Sequence, residues 1–201
     1  MKKSFLFLIF MIIIALSSFA QTTEHLKFKG VPIDGTLSEY VLKMKQAGFQ
    51  LIETDDGVAV LEGEFAGYRG CLIGVKTLQK QDLVHEIVVL FPIQDKWAGL
   101  SYDYERLKSM LTKKYGDPDE CVEKFVNTPS YRDLNDDNDK MLEVENDHCE
   151  YYSAYEVENG NIVLSIVSDN VLLGFRHNRV KLFYSDKINS QKFDDAAMED
   201  L

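Results

Sequence analysis

The chain has 201 residues, 45% of them hydrophobic, and a formal charge of −11 from 22 basic and 33 acidic side chains. Beyond residue 20 there are 20 bases against 33 acids, a net of −13. A nucleic acid is therefore not an expected partner, because phosphate binding needs a basic stripe.

Residues 1–20 read as a secretory leader. Lys2 and Lys3 precede an apolar run from Phe5 to Leu16, and Ser18 and Ala20 supply the small residues of a cleavage site before Gln21. The uncharged stretch from Ser4 to Ala20 is 17 residues long, at the short edge of a membrane span. The expectation is cleavage after Ala20, export to a periplasmic or extracellular space, and no stable membrane span in the mature chain. Residues 21–185 are then expected to form one domain.

The first helix is announced by Thr36-Leu37-Ser38-Glu39, a capping box, with Leu37, Tyr40, Val41, Met44 and Ala47 on one face and Gly48 as the stop. Strands are predicted over 57–65, 69–79 and 83–92, an antiparallel meander broken by turns at 66–68 and 80–82. A second helix over 101–115 ends at Gly116 and Pro118, and a strand over 120–126 follows. Strands over 151–157 and 162–167 flank Glu158-Asn159-Gly160-Asn161, where a type I′ turn at Asn-Gly would set Val157 opposite Ile162 and Tyr155 opposite Leu164. The last strand is expected over 179–185, and residues 186–201 read as a polar, frayed tail.

These elements predict an α+β protein in which two principal helices pack on a mainly antiparallel sheet of about six or seven strands. The pattern of a helix followed by a meander recurs, so halves at 28–93 and 97–185 are an alternative to one undivided unit.

The segments Phe28-x-Gly30-Val31-Pro32-x-Asp34-Gly35-Thr36, Ala47-Gly48-Phe49 and Leu111-x-x-Lys114-Tyr115-Gly116-x-Pro118 resemble a group of uncharacterised exported bacterial proteins. The layout is similar to the beta-lactamase-inhibitor-protein-like fold, and that resemblance implies binding of other proteins or a part in envelope assembly.

Between Asp117 and Glu158 the chain carries fourteen acids and three bases, a charge run suited to a basic partner, a divalent cation or a solvated surface. Asp136, Asp137, Asp139, Glu150, Tyr152 and Glu156 are the candidate binding residues for a protein or glycan. Tyr152 shares a strand face with Glu150 and Glu156, whereas Tyr151 and Tyr155 alternate toward the core. Asp133, Asn135, Asp137 and Asp139 mimic the first half of a calcium loop. Its sixth position is Asn138 and its twelfth is Val144, so the glycine and the bidentate glutamate are absent. The competing expectation for this segment is the capped start of a helix at Lys140-Met141-Leu142.

Of the three cysteines, Cys121 and Cys149 are the expected disulfide pair in an oxidising compartment, and Cys71 is expected in the core. His85 and Glu86, adjacent on a strand, are expected to point to opposite faces. His148-Cys149 is an unfavourable thiol–imidazole pair for the same reason. Neither G-x-S-x-G, G-x-G-x-x-G, C-x-x-C nor H-E-x-x-H occurs. The favoured function is an exported, non-enzymatic binding or envelope-associated module. The alternatives are a secreted hydrolase with dispersed carboxylates and a self-associating structural domain.

Overall fold

The computed structural model describes residues 24–78, 81–169 and 177–198, without the side chains of 193–197. The expected leader lies outside the described residues. Among the described residues, no helix is long and apolar enough to cross a membrane.

The protein is α+β; the described residues form ten strands and four helices in the order β1 (Lys27–Phe28), β2 (Val31–Pro32), α1 (Leu37–Gln46), β3 (Gln50–Asp55), β4 (Val58–Phe65), β5 (Tyr68–Thr77), β6 (Val84–Leu90), α2 (Trp97–Tyr115), β7 (Glu120–Phe125), α3 (Asp137–Glu145), β8 (Cys149–Val157), β9 (Gly160–Asp169), β10 (His177–Asp186) and α4 (Lys187–Met198). Apart from the β1–β2 ribbon, all strands join one antiparallel sheet in the order β3-β4-β5-β6-β10-β9-β8-β7. Each of α1 and α2 is followed by four strands of this sheet, and the two sets meet where β6 pairs with β10, Val88 opposite Phe183.

One face of the sheet is the core. A single row runs across it through Leu61, Ile73, Val89, Leu182, Leu164, Ser153 and Cys121, and all but Cys121 are buried. Onto this face α1 places Tyr40 and Met44, α2 places Leu100, Tyr104 and Leu107, and α3 places Met141 and Val144. The helix periodicity that defines these stripes is what closes the core. Tyr104 donates or accepts at the buried Ser153 hydroxyl, 2.7 Å away, which satisfies both polar groups under α2.

The capping box of α1 forms as expected, with Thr36 Oγ1 accepting from Glu39 N and the Glu39 carboxylate accepting from Thr36 N. α2 begins one turn earlier than its predicted start at 101, because its N-cap, Lys96, offers no side-chain acceptor and so leaves no sequence signature. β3 is an edge strand and mostly exposed, so it lacks the apolar alternation that would have marked it. The tail beyond residue 186 continues as α4, rather than fading: Asn189 of its first turn donates from Nδ2 to the carbonyls of Ile33 and Val84, tying it to the body of the protein.

The β8–β9 turn differs from its predicted geometry. Val157 pairs with Gly160 and Tyr155 with Ile162, so the two-residue loop is Glu158-Asn159, and neither residue has a positive φ. The shift is two residues, which keeps every side chain on its expected face. Gly160 instead sits inside the sheet opposite Asp186, where a Cβ would fall on the Ser185 carbonyl oxygen. The type I′ geometry occurs elsewhere, at Ala66-Gly67 between β4 and β5, with φ of 51° and 84°.

Candidate binding face

The second face of the sheet is turned away from α1, α2 and α3. Alternation places Glu150, Tyr152, Ala154 and Glu156 of β8 on it, opposite in direction to the buried Ser153 and Tyr155. From there one row crosses the sheet through Val163, Phe183, Val88, Gly74 and Val60, and the next runs from Tyr152 through Ser165, Lys181, Leu90 and Leu72 to Glu62. The apolar members of both rows are partly exposed.

Charged pairs flank this apolar centre. Lys124 Nζ lies 3.2 Å from Glu150 Oε2 on β7–β8, and Lys76 Nζ lies 3.1 Å from Glu86 Oε2 on β5–β6. Tyr152 donates its hydroxyl to Glu120, and that carboxylate pushes the phenol pKa above its ordinary value. α4 rises at one end of the face, where the Ser190 and Ser185 hydroxyls are 3.0 Å apart.

The six candidate binding residues therefore fall in two places. Glu150, Tyr152 and Glu156 share the second face. Asp136, Asp137 and Asp139 belong to the start of α3, which packs against α2, β9 and β10. Asp136 is the N-cap, its Oδ1 accepting from Asn138 N at 2.7 Å.

The calcium-like residues are engaged with their own chain. Asp133 Oδ1 accepts from the backbone and side-chain nitrogens of Asn135. Asp139 accepts from Asp133 N at 2.8 Å and from Arg132 at 3.0 Å, and these two contacts hold its carboxyl below the usual carboxylate range. Among the described residues, no three His, Cys, Asp or Glu side chains are grouped as metal ligands.

The expected Cys121–Cys149 bridge is not formed: all three cysteines are free. Cys121 sits opposite Ser153 and Cys149 opposite Phe125, four residues apart along the β7–β8 ladder. At roughly 3.3 Å per residue that separation exceeds the reach of a disulfide. Burial pushes the Cys149 thiol up to about 12 and the Cys71 thiol up to about 11, which suppresses the thiolate form of each. His148 turns instead to Glu143, with Nδ1 2.8 Å from Oε2.

His85 departs from its expected orientation. The β5–β6 register shifts between Lys76 and Thr77, and this bulge brings His85 Nδ1 to 3.8 Å from Glu86 Oε1.

Sequence reasoning missed Val60, Leu72, Val88, Leu90, Val163 and Phe183 as surface residues. The available signal was a run of consecutive apolar residues in β6 and β9, Ile87-Val88-Val89-Leu90 and Ile162-Val163-Leu164. Such runs mark strands apolar on both faces, and a second apolar face requires a second cover.

A groove of about 920 Å³ lies between α1 and the β3–β5 side of the sheet. Its two carboxylates, Glu39 and Asp82, both accept from the first turn of α1, at Thr36 N and Leu37 N. They are committed to capping rather than aimed at a common point as an acid–base pair would be. Comparison with family models, with curated proteins and with solved structures gives no match.

Proposed function

We propose that the mature chain is an exported binding module that docks a protein on the second face of its sheet. The observation that carries this reading is the partly exposed apolar centre of that face, Val60, Leu72, Val88, Leu90, Val163 and Phe183, bordered by paired charges. Contiguous apolar surface with a polar rim is the composition of a protein-docking patch, in which the centre supplies the burial and the rim fixes orientation. Tyr152 and the carboxylates of Glu120, Glu150 and Glu156 give one end of the face an acidic, hydrogen-bonding character that favours a partner with a basic border. Export rests on the leader-like residues 1–20, and mass analysis of the secreted or periplasmic chain beginning at Gln21 is its check.

The test is position-specific photocrosslinking in the cells that make the protein, with the crosslinking residue placed at Phe183 or, as a control, at the exposed Lys43 of α1. A discrete adduct from position 183 that is absent from position 43 and suppressed by Val88→Asp supports the reading. Identical adducts from both positions, or none from 183, contradict it.

A further inference from the structure

The two edges of the sheet are unlike. β3, at one end, shifts register against β4 between Leu51 and Glu53, and its charged side chains, Glu53 and Asp55, are both acidic. A bulge and a like-charged row keep an edge from pairing with another strand. β7, at the other end, has neither. Its six residues run opposite β8 from Glu120 at Ala154 to Phe125 at Cys149 without a shift, none is proline, and Glu120, Cys121, Glu123 and Lys124 are exposed. Among the described residues no strand covers its outer side.

Val126 N donates to the His148 carbonyl. Alternation from that point turns the amides and carbonyls of Glu120, Val122 and Lys124 toward β8 and leaves those of Cys121, Glu123 and Phe125 pointing outward. The side chains of Glu120, Val122 and Lys124 share the second sheet face with Tyr152, which lies directly opposite Val122. Their charges are antisymmetric about Val122, with an acid two residues before it and a base two residues after. On the core side of the strand, Glu123 carries its own cation, Lys108 of α2.

We propose that β7 pairs with β7 of a second copy of this chain, antiparallel about a two-fold axis through Val122, so that one sheet continues across the dimer. In this register Glu120 of each copy faces Lys124 of the other, and Val122 meets Val122 as a narrow, non-hydrogen-bonded pair. Cys121 and Glu123 exchange backbone hydrogen bonds with Glu123 and Cys121 of the second copy. Neighbouring registers are worse by charge: an axis through Glu123 sets that acid against itself, and one through Cys121 sets Asp119 against Glu123. A net charge of −11 opposes contact between two copies, so local complementarity decides where they meet. An edge of six residues gives a reversible dimer rather than a permanent one. The pairing runs in the plane of the sheet and is independent of docking on the second face.

The test is sedimentation equilibrium of the purified protein under reducing conditions, with Lys124→Glu, Glu120→Lys and an equimolar mixture of the two. The parent mass should rise with concentration toward that of two chains. Each variant alone sets like charges opposite each other and should weaken the dimer at least about tenfold. Mixing them should restore it, since every facing pair is then again an acid and a base. Phe183→Asp should leave the dimer unchanged, so a failure of the docking proposal and a failure of this one are separable. Register is read by Val122→Cys in a Cys121→Ser background. With Cα atoms about 4.5 Å apart across the axis, it should form an intermolecular disulfide on mild oxidation faster than the diagonally placed Cys121 does in the parent. The inference is overturned by a mass that stays at one chain throughout, by a dimer that Lys124→Glu leaves intact or that the mixture fails to restore, or by loss of the dimer in Phe183→Asp. Faster crosslinking through Cys121 than through Val122→Cys overturns it equally.

Discussion

Arg132 Nε lies 3.1 Å from Oε1 of Glu143, a carboxylate of α3 with no solvent exposure. The other oxygen of Glu143 meets His148 Nδ1 at 2.8 Å, and the His148 amide donates to the Glu143 carbonyl. A segment dense in acids is thus organised from within by one buried acid with two nitrogen partners. Isolated burial of that carboxylate would be costly, and the pairing offsets the cost.

Glu143→Ala should lower stability by on the order of 2 kcal/mol, since it removes charge-assisted hydrogen bonds from a buried position. Glu143→Gln, which retains one acceptor and the side-chain volume, should lose less. Urea denaturation of the three proteins checks the order, and equal midpoints for Glu143→Ala and the parent would show that the network carries no stability.

Thiol reactivity should separate the cysteines. Cys121 is exposed on the edge strand β7, while burial raises the thiol pKa of Cys71 to about 11 and of Cys149 to about 12. At mildly alkaline pH, one thiol of the folded chain should react rapidly with an aromatic disulfide reagent, and Cys121→Ser should abolish that phase. The other two should react only on unfolding. A native chain with no reactive thiol and a mass two protons lighter would instead indicate a bridge.

Gly160→Ala tests the observed β8–β9 register. The added Cβ would collide with the Ser185 carbonyl of the neighbouring strand, and relief requires the ladder to open. The expected loss is about 3 kcal/mol or more, the upper end of overpacking costs. If Gly160 instead occupied the loop of a type I′ turn with Val157 opposite Ile162, the substitution would strain the loop alone and cost about 1 kcal/mol.

Much of the fold was legible because its signals are local. Thr36 and Glu39 announce a helix start, and Tyr151, Ser153 and Tyr155 against Glu150, Tyr152 and Glu156 announce a strand with two unlike faces. Where the causes are tertiary the sequence is silent. β3 is held by pairing with β4 rather than by its own pattern, and α4 is fixed by Asn189 reaching Ile33 and Val84, more than a hundred residues away. The disulfide expectation failed for a similar reason, since compartment and count suggest a pair but only register sets the distance. The candidate site was half legible: the Tyr152 face follows from alternation, but its continuity with Phe183 and Val88 depends on a strand order that no local pattern encodes.

Acid stability should report on Asp34. Partial burial opposes its ionisation, but the Asn189 side chain and the Gly35 amide, with His25 and Lys192, outweigh that and lower its pKa in the folded chain. The unfolded chain then binds this proton more tightly. Asp34 therefore contributes fully above its ordinary value of 3.8, and the contribution fades as pH falls through the lower, folded-state value. Asp34→Asn should flatten the acid limb of stability against pH in that window. An unchanged limb would assign acid sensitivity to other carboxylates.

The docking claim is tested most directly by titrating the crosslinked partner, once purified, against the parent protein and two double variants. Phe183→Asp with Tyr152→Ala should weaken binding at least about tenfold, because it charges the apolar centre and removes the aromatic edge. Asp136→Asn with Asp137→Asn, at the start of α3 on the opposite side of the sheet, should change affinity less than about twofold, as peripheral charges do. The reverse ranking, or equal affinity in all three proteins, would contradict the assignment of the second sheet face as the binding surface.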